Sequence, residues 1–138
     1  MSEVASNLAW PEWRLRFLLN KRRKPEELER LRSTAEVSFL PMEAIGELGG
    51  LSLEQTRPKE DVQTGFSLFF EDDVVVAKIT PCFENYKGAL VRGLINGVGF
   101  GTTELHVLDP SDTLHPEFLF YLTLSSDFRL LGEASMKG

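Results

Sequence analysis

The segment VVVAKITPCFENYKGAL, Val74 to Leu90, decides the predicted fold because it joins two strand signals through a proline-containing loop. Its first part, Val74 to Ile79, is mostly β-branched, and such a run is typical of a central strand. Side chains alternate between the two faces of a strand, so Val76 and Lys78 share one face. One face of this strand is therefore partly polar, whereas the other is apolar.

Weaker signals on both sides of this segment predict the remaining elements. Helices are expected to begin near Pro25 and near His115, where proline and acidic residues open a helical pattern. The expected strands are VSFL (37–40), ALVRGLING (89–97) and TELHVLDP (103–110). PMEAIGEL (41–48) predicts a turn or a single helical turn, and 51–69 predicts a loop with one short strand. The glycine-rich stretch NGVGFGTTE (96–104) is expected to separate two strands.

These elements predict an α+β fold. We expect a single domain with one twisted mixed β-sheet, flanked by N-terminal and C-terminal helices. Residues 1–32 form an apolar start and a helix that belong to the same domain, and residues 33–138 form its body. The C-terminal helix is expected to bury a face that consists of Phe118, Leu119, Leu122, Phe128 and Leu131.

Charge is distributed unevenly along the chain. The net charge is −6, but residues 1–32 hold eight Lys/Arg against five Glu, a net +3. Residues 33–138 hold seven Lys/Arg against sixteen Asp/Glu, a net −9. An acidic body argues against nonspecific binding of polyanions, although a module with a few cations gathered on one face is still compatible with it.

The sequence carries no export or membrane signal. There is no basic and apolar leader at the N-terminus and no apolar run of about 20 residues. A single cysteine rules out a disulfide within the chain and suits a reducing compartment. We therefore expect a cytoplasmic protein that does not enter a membrane.

Catalytic and metal signatures are weak. Cys82 follows Pro81 at a strand end, and neither His106 nor His115 lies in a cysteine-hydrolase signature, so Cys82 is interpreted as a buried structural thiol. One Cys and two isolated His give no metal-ligand spacing. GVGFGTTE lacks the lysine of a phosphate-binding loop and leads into a strand. The chain is predicted to have no catalytic residues, no metal and no cofactor.

Two segments carry side chains suited to reading DNA. Asn and Gln read adenine edges, Arg reads guanine edges, and Lys contacts phosphates. The stretch CFENYKGALVRG combines such groups with aromatic rings, and 55–63 adds a second set. The candidate DNA-binding residues are Gln55, Arg57, Lys59, Gln63, Phe83, Asn85, Tyr86, Lys87 and Arg92.

Four motifs in order resemble the target-recognition domain of the DNA specificity subunits of type I restriction–modification systems. They are VSFLPMEAIGELGG, FEDDVVVAKITPCFENYKGAL, GFGTTELHVLDP and FLFYLTLSSDFR. The resemblance runs from about Trp10 to Met136. It implies a non-catalytic component that recognises one half of a split double-stranded DNA target.

The resemblance also implies partners. Family subunits dock methyltransferase (modification) subunits, which use S-adenosylmethionine, and through them restriction subunits. This chain is expected to lack a second recognition domain and to end where a spacer helix would begin, so those contacts involve regions partly missing here. A truncated domain and an orphan half-subunit both fit, and a homodimer is possible.

Two alternatives remain open at the level of sequence. The acidic body favours an orphan protein-interaction domain that has lost DNA binding, whereas the order of the motifs favours DNA recognition. Lys78 could pair with Glu104 on an adjacent strand or reach a phosphate from the strand end, and the first role is preferred.

Overall fold

A computed structural model describes residues 25–78, 86–110, 114–125 and 128. Its three α-helices are α1 (Pro25–Glu29), α2 (Lys59–Val62) and α3 (Pro116–Thr123). Its strands are β1 (Glu36–Leu40), β2 (Thr56–Pro58), β3 (Ser67–Phe70), β4 (Val74–Ala77), β5 (Gly88–Leu90), β6 (Val98–Gly101) and β7 (Leu105–Leu108). Two 3-10 turns cover Met42–Ala44 and Ile95–Gly97. The predicted α+β class is confirmed.

The described strands form two sheets, so the prediction of one mixed sheet was wrong. The first sheet has the order β2-β1-β6-β3, with β1 and β6 parallel and the outer pairs antiparallel. The second has the order β5-β4-β7 and is antiparallel throughout. Strand patterns in a sequence do not specify which strands pair, because pairing depends on contacts between distant segments.

Strand β4 is the middle strand of the second sheet and is buried on both faces. Its four residues, Val74 to Ala77, are each 0% exposed. Val75 packs with residues of β1 and β3 in a core shared by the two sheets. Val74 and Val76 pack against Leu119 of α3 on the opposite face. Complete burial of a valine is worth about 1.5–3 kcal/mol, so this strand ties the two layers together.

Strand β6 (Val98–Gly101) lies inside the glycine-rich stretch 96–104, which was predicted to separate two strands. Gly99 and Phe69 are paired across β6 and β3. A Cβ atom at Gly99 would lie 2.3 Å from Cε2 of the Phe69 ring. The absence of a side chain therefore makes room for an aromatic ring in the core, a requirement that strand propensities do not register.

The segment 51–69 contains more structure than expected. It holds β2, α2 and most of β3 where a loop with one strand was predicted. Val62 is 2% exposed and anchors the single turn α2 against the core formed by Val37 and Phe70. Helix α2 has only four residues, too few for a periodic pattern to be visible.

Both flanking helices begin where the sequence predicts. Helix α1 starts at Pro25 with Glu26 and Glu27 in its first turn, and α3 starts at Pro116. The predicted apolar face of α3 is only partly buried: Leu119 is buried as expected, but Phe118 is 55% exposed, so the prediction was wrong at that position. The apolar N-terminal stretch and Leu131 lie outside the described residues.

None of the helices that the structure describes is long and apolar enough to cross a membrane.

The contact between Gly99 and Phe69 gives a testable expectation. Gly99→Ala should lower the free energy of unfolding by about 1–3 kcal/mol, because the added methyl overpacks the core. Urea denaturation would measure the change. In a Phe69→Ala background the same substitution should cost much less, since the ring that it meets is gone. An equal cost in both backgrounds would contradict this account of Gly99.

Candidate nucleic-acid interface

The predicted DNA-binding residues fall on separate surfaces. Four of them, Gln55, Arg57, Lys59 and Gln63, lie on or beside β2 and α2 at one edge of the four-stranded sheet. Tyr86, Lys87 and Arg92 flank β5 at an edge of the other sheet. Phe83 and Asn85, like Pro81 and Cys82, lie outside the described residues. The described members of the two predicted segments thus lie at edges of different sheets.

Arg57 is held against its own sheet. Its guanidinium carbon lies 4.8 Å from the centre of the Phe39 ring, within the range of a cation–π contact. Its Nη1 donates to the Thr56 carbonyl at 2.7 Å and its Nη2 to Gln55 Oε1 at 3.0 Å. Phe39 in turn meets Phe66 edge to face at 5.3 Å. These contacts fix both Gln55 and Arg57 at the surface of β2.

The Arg57 contact also protects a sheet edge. The amide of Phe39 donates to Gln55, and that of Lys59 donates to Ala35. Because hydrogen-bonded pairs alternate along an antiparallel ladder, the backbone groups of Thr56 and Pro58 point outward. Pro58 has no N–H to offer, and Arg57 occupies the Thr56 carbonyl. Both features weaken this edge as a site for pairing with a further strand.

The ammonium group of Lys59 forms hydrogen bonds within the fold. Its Nζ donates to the carbonyls of Leu28 and Leu31, at 3.1 and 3.0 Å. These carbonyls lie in and just after helix α1, where a cation also complements the helix dipole. Gln63 ends α2 and is exposed. Of the predicted residues around β2, Gln55 and Gln63 are exposed, although Gln55 Oε1 accepts the hydrogen bond from Arg57.

Strand β5 divides the second predicted segment. Gly88 and Ala89 are buried in the sheet, so the middle of this segment is scaffold. A Cβ atom at Gly88 would lie 2.8 Å from the Val75 carbonyl oxygen. At about 3.3 Å per residue, Lys87 and Arg92 lie roughly 16 Å apart at opposite ends of β5. We call these the lysine end and the arginine end of the three-stranded sheet.

The arginine end is an ion-pair cluster. Arg92 Nε lies 2.7 Å from Asp72 Oδ1, and its Nη1 lies 3.2 Å from Glu117 Oε2 at the start of α3. Hydrogen bonds from Arg92 to Asp72 and to Glu117 raise its pKa. The pKa of Glu117 is lowered by its own backbone amide and then by Arg92. Exposed pairs of this kind contribute little to stability.

The neighbouring backbone at the arginine end is held by a carboxylate as well. Glu71 accepts hydrogen bonds from the amides of Gly93 and Leu94, at 2.9 and 3.0 Å. Acidic groups thus surround Arg92 and its loop. They offset the positive charge of Arg92, which the sequence had suggested for contact with DNA.

The lysine end carries two cations, which belong to opposite faces of the sheet because Lys78 continues the face of Val76 and Lys87 lies opposite Ala77. The register Val74↔Leu90 and Val76↔Gly88, continued by two residues, places Lys78 opposite Tyr86. Lys87 follows Tyr86, and the Lys87 carbonyl accepts the Ala77 amide at 3.0 Å. We define the lysine end by Lys78, Tyr86 and Lys87. Residues 79–85, which include Phe83 and Asn85, lie outside the described residues.

Lys78 and Glu104 are connected through the backbone. The Lys78 amide donates to the Glu104 carbonyl at 2.8 Å and extends the β4–β7 ladder by one pair. The preferred role for Lys78, a charge pair with Glu104, is not among the described ion pairs; this backbone bond joins the two residues instead. Lys78 also acts on His106, two residues further along β7. Burial lowers the pKa of His106, and the positive charge of Lys78 lowers it further.

A short hairpin completes the lysine end and was missed as a site by the sequence argument. Ile45 and Leu51 form a bridge, and the Gly46 amide donates to Gly50 at 2.8 Å, which closes a turn. The Leu48 amide at its tip donates to the Tyr86 carbonyl at 3.0 Å. Glu47 and Lys87 form a second bridge. The predicted turn at 41–48 is confirmed by the 3-10 helix and this hairpin.

Leu48 and Tyr86 have unusual backbones. Their φ values are +56° and +60°, in the left-handed region that non-glycine residues seldom adopt. Such a conformation costs about 1–3 kcal/mol and is concentrated at functional sites. Leu48 is 65% exposed, so burial of its side chain compensates little of that cost. The glycines of GELGG signal a tight turn, but no sequence pattern marks the conformation of Leu48.

No group of three or more His, Cys, Asp or Glu side chains within the described ranges could hold a metal ion.

Comparison with known proteins points to one family. The chain is 43% identical over 105 residues to the type I restriction enzyme EcoAI specificity subunit of Escherichia coli, and 39% identical over 105 residues to the EcoEI specificity subunit. These matches cover 75% of this chain and 18% of each relative. The chain thus spans about a fifth of the length of the curated relatives that it matches. No family model matches.

Solved structures agree on the fold. The HsdS subunit from Thermoanaerobacter tengcongensis superposes with a TM-score of 0.60 at 20% identity, over 81% of this chain and 28% of that one. A chain solved in a study of complex assembly and conformational transition of the type I R-M system gives 0.58 at 19% identity, over 80% and 28%. The resemblance predicted from four sequence motifs is confirmed.

The lowered pKa of His106 gives a pH-dependent expectation. In the unfolded chain His106 has its ordinary pKa, near 6.5, whereas in the folded chain its pKa is lower. As the pH falls below 6.5, the unfolded chain therefore binds this proton more readily, and the free energy of unfolding should decrease. Above pH 6.5 His106 is neutral in both states, and its contribution to stability is fully present. Urea denaturation at a series of pH values should therefore show a shallower loss of stability for His106→Gln than for the parent. Identical pH profiles would contradict the assignment.

Proposed function

We propose that this chain, which is related to a segment of the type I restriction specificity subunits, is a target-recognition domain that binds double-stranded DNA in a sequence-dependent way. The observation that carries the proposal is the 43% identity over 105 residues with a specificity subunit. The relatives' longer chains have room for a second such domain and for connecting segments. One chain of this kind would read one part of a split target.

The distribution of charge supports a particular face for the DNA. Residues 74–92 hold three Lys/Arg and one acidic residue, whereas the rest of the body is strongly acidic. At the arginine end, Arg92 is paired with two carboxylates. We therefore assign phosphate contact to the lysine end, through Lys78 and Lys87, since an acidic surface elsewhere repels the DNA backbone.

Base recognition is assigned to side chains next to this phosphate anchor. Asn85 and Phe83, which precede Tyr86 in the sequence, remain candidates, together with Tyr86. Amide groups read adenine edges, and aromatic rings stack on bases. Gln55 and Gln63, with Arg57 and Lys59 beside them, form a second candidate surface at the β2 edge. Arg57 and Lys59 would have to exchange internal hydrogen bonds for DNA contacts there.

The proposal includes the partners of the assembly. A domain of this kind would bring methyltransferase and restriction subunits to the DNA, and S-adenosylmethionine would bind to the methyltransferase and not to this chain. The chain itself would be non-catalytic and act in the cytoplasm. Self-association into a homodimer that reads a symmetric site is part of the same proposal.

Selection from a library of random-sequence duplexes tests the central statement. The chain, immobilised at moderate salt, should enrich a defined sequence over successive rounds. If the chain were instead a protein-interaction domain without DNA binding, the selection would enrich no sequence, and binding to duplexes would show no dependence on salt. That outcome would overturn the proposed function.

Two substitutions with the same change in charge separate the two ends of the sheet. Lys87→Ala should weaken binding to the selected duplex at every salt concentration and lower the salt slope by about one, the value for a single lost phosphate contact. Arg92→Ala should have a much smaller effect, because Asp72 and Glu117 already bind that guanidinium. Fluorescence anisotropy titrations at several salt concentrations would measure both. An equal effect at the two positions would refute the assignment of the lysine end.

A further inference from the structure

We propose that Leu48 is a wedge residue, whose side chain inserts against a base step of the bound duplex and partly unstacks it. This inference rests on the proposed function and deepens it, because it states how the lysine end engages the DNA. The structure places Leu48 at the tip of a hairpin turn, 65% exposed and with φ at +56°.

The first step of the argument is that the tip is rigid. The hairpin is closed by the bond from Gly46 to Gly50, and the Leu48 amide is fixed to the Tyr86 carbonyl. Together with the bond from the Gly88 amide to the Gly46 carbonyl, this bond forms the bridge between Glu47 and Lys87. A side chain on a tip anchored at these points keeps its position when a ligand approaches, so insertion would not require the turn to be ordered first.

The second step concerns the cost of this conformation. A leucine in the left-handed region is strained, whereas a glycine at the same position would adopt it freely. The strain is not offset by burial, because most of the Leu48 surface faces solvent. An apolar side chain held in this conformation at the surface is available for a contact from outside the chain.

The third step identifies what the Leu48 side chain would contact. Leu48 is one hydrogen bond away from Tyr86, which precedes Lys87, and Lys78 lies opposite Tyr86 in the sheet register. If these two lysines contact phosphates, a rigid apolar tip beside them meets the groove of the same duplex. Leucine is among the side chains that enter between base steps and kink DNA, with adjacent cations on the phosphates.

The experiment uses the duplex enriched by the selection described above. 2-Aminopurine, whose fluorescence rises on unstacking, replaces adenine at successive positions, and donor and acceptor dyes at the two ends report bending. The parent chain should raise the 2-aminopurine signal at one step and shorten the distance between the dyes. Leu48→Gly should abolish both responses while the free energy of unfolding stays equal or rises, because glycine relieves the strained backbone.

Two further variants are matched controls. Leu48→Met keeps an apolar wedge and should retain both signals. Ile95→Ala removes another exposed apolar side chain, 41% exposed and beyond the arginine end, and should leave them unchanged. A structural role for Leu48 would instead lower stability in the glycine variant.

The outcomes separate this inference from the proposed function. An enriched duplex that binds without unstacking at any position, or a Leu48→Gly variant with both signals intact, overturns the wedge alone. Failure of the selection to enrich any sequence overturns the proposed function and the wedge together.

Discussion

The double-sided burial of strand β4 is the constraint on which the rest of the structure depends. Val75 enters the core shared by the two sheets, while Val74 and Val76 enter the core under α3. A shift of one residue in its register would exchange these faces and move Lys78 into the shared core, where an unpaired ammonium is very costly. The register of β4 against β5 and β7 is thereby fixed. The same register determines which side chains meet at each end of the sheet.

The two ends of the sheet hold their cations differently. At one end, Arg92 is neutralised by Asp72 and Glu117, and the backbone beyond it is bound by Glu71. At the other, neither Lys78 nor Lys87 belongs to a described ion pair, although Glu104 and Glu47 are their neighbours on the adjoining strands. An acidic body that exposes one local cationic site orients a polyanion by repulsion as much as by attraction. This arrangement favours a single mode of docking.

The cations of the chain thus serve three different purposes. Arg57 protects a sheet edge and Lys59 binds the end of α1, so both stabilise the fold. Arg92 joins the β3–β4 turn to α3. Lys78 and Lys87 are left as the candidates for phosphate contact. Counting positive residues along a sequence does not distinguish these uses, because each depends on a partner that is distant along the chain.

The sequence by itself determined the α+β class, the central strand at Val74, the starts of the outer helices and, through four ordered motifs, the relationship to specificity subunits. These features arise from local propensity, from periodicity and from short motifs, all of which are present in the residue order. The division into two sheets, the strand at Gly99 and the separation of Lys87 from Arg92 were decided only by the tertiary structure. Each results from contacts between distant segments: strand pairing, an aromatic ring over a glycine, and carboxylates that surround an arginine. The strained, exposed Leu48 belongs to this second group, since its amide donates a hydrogen bond to the Tyr86 carbonyl, 38 residues away.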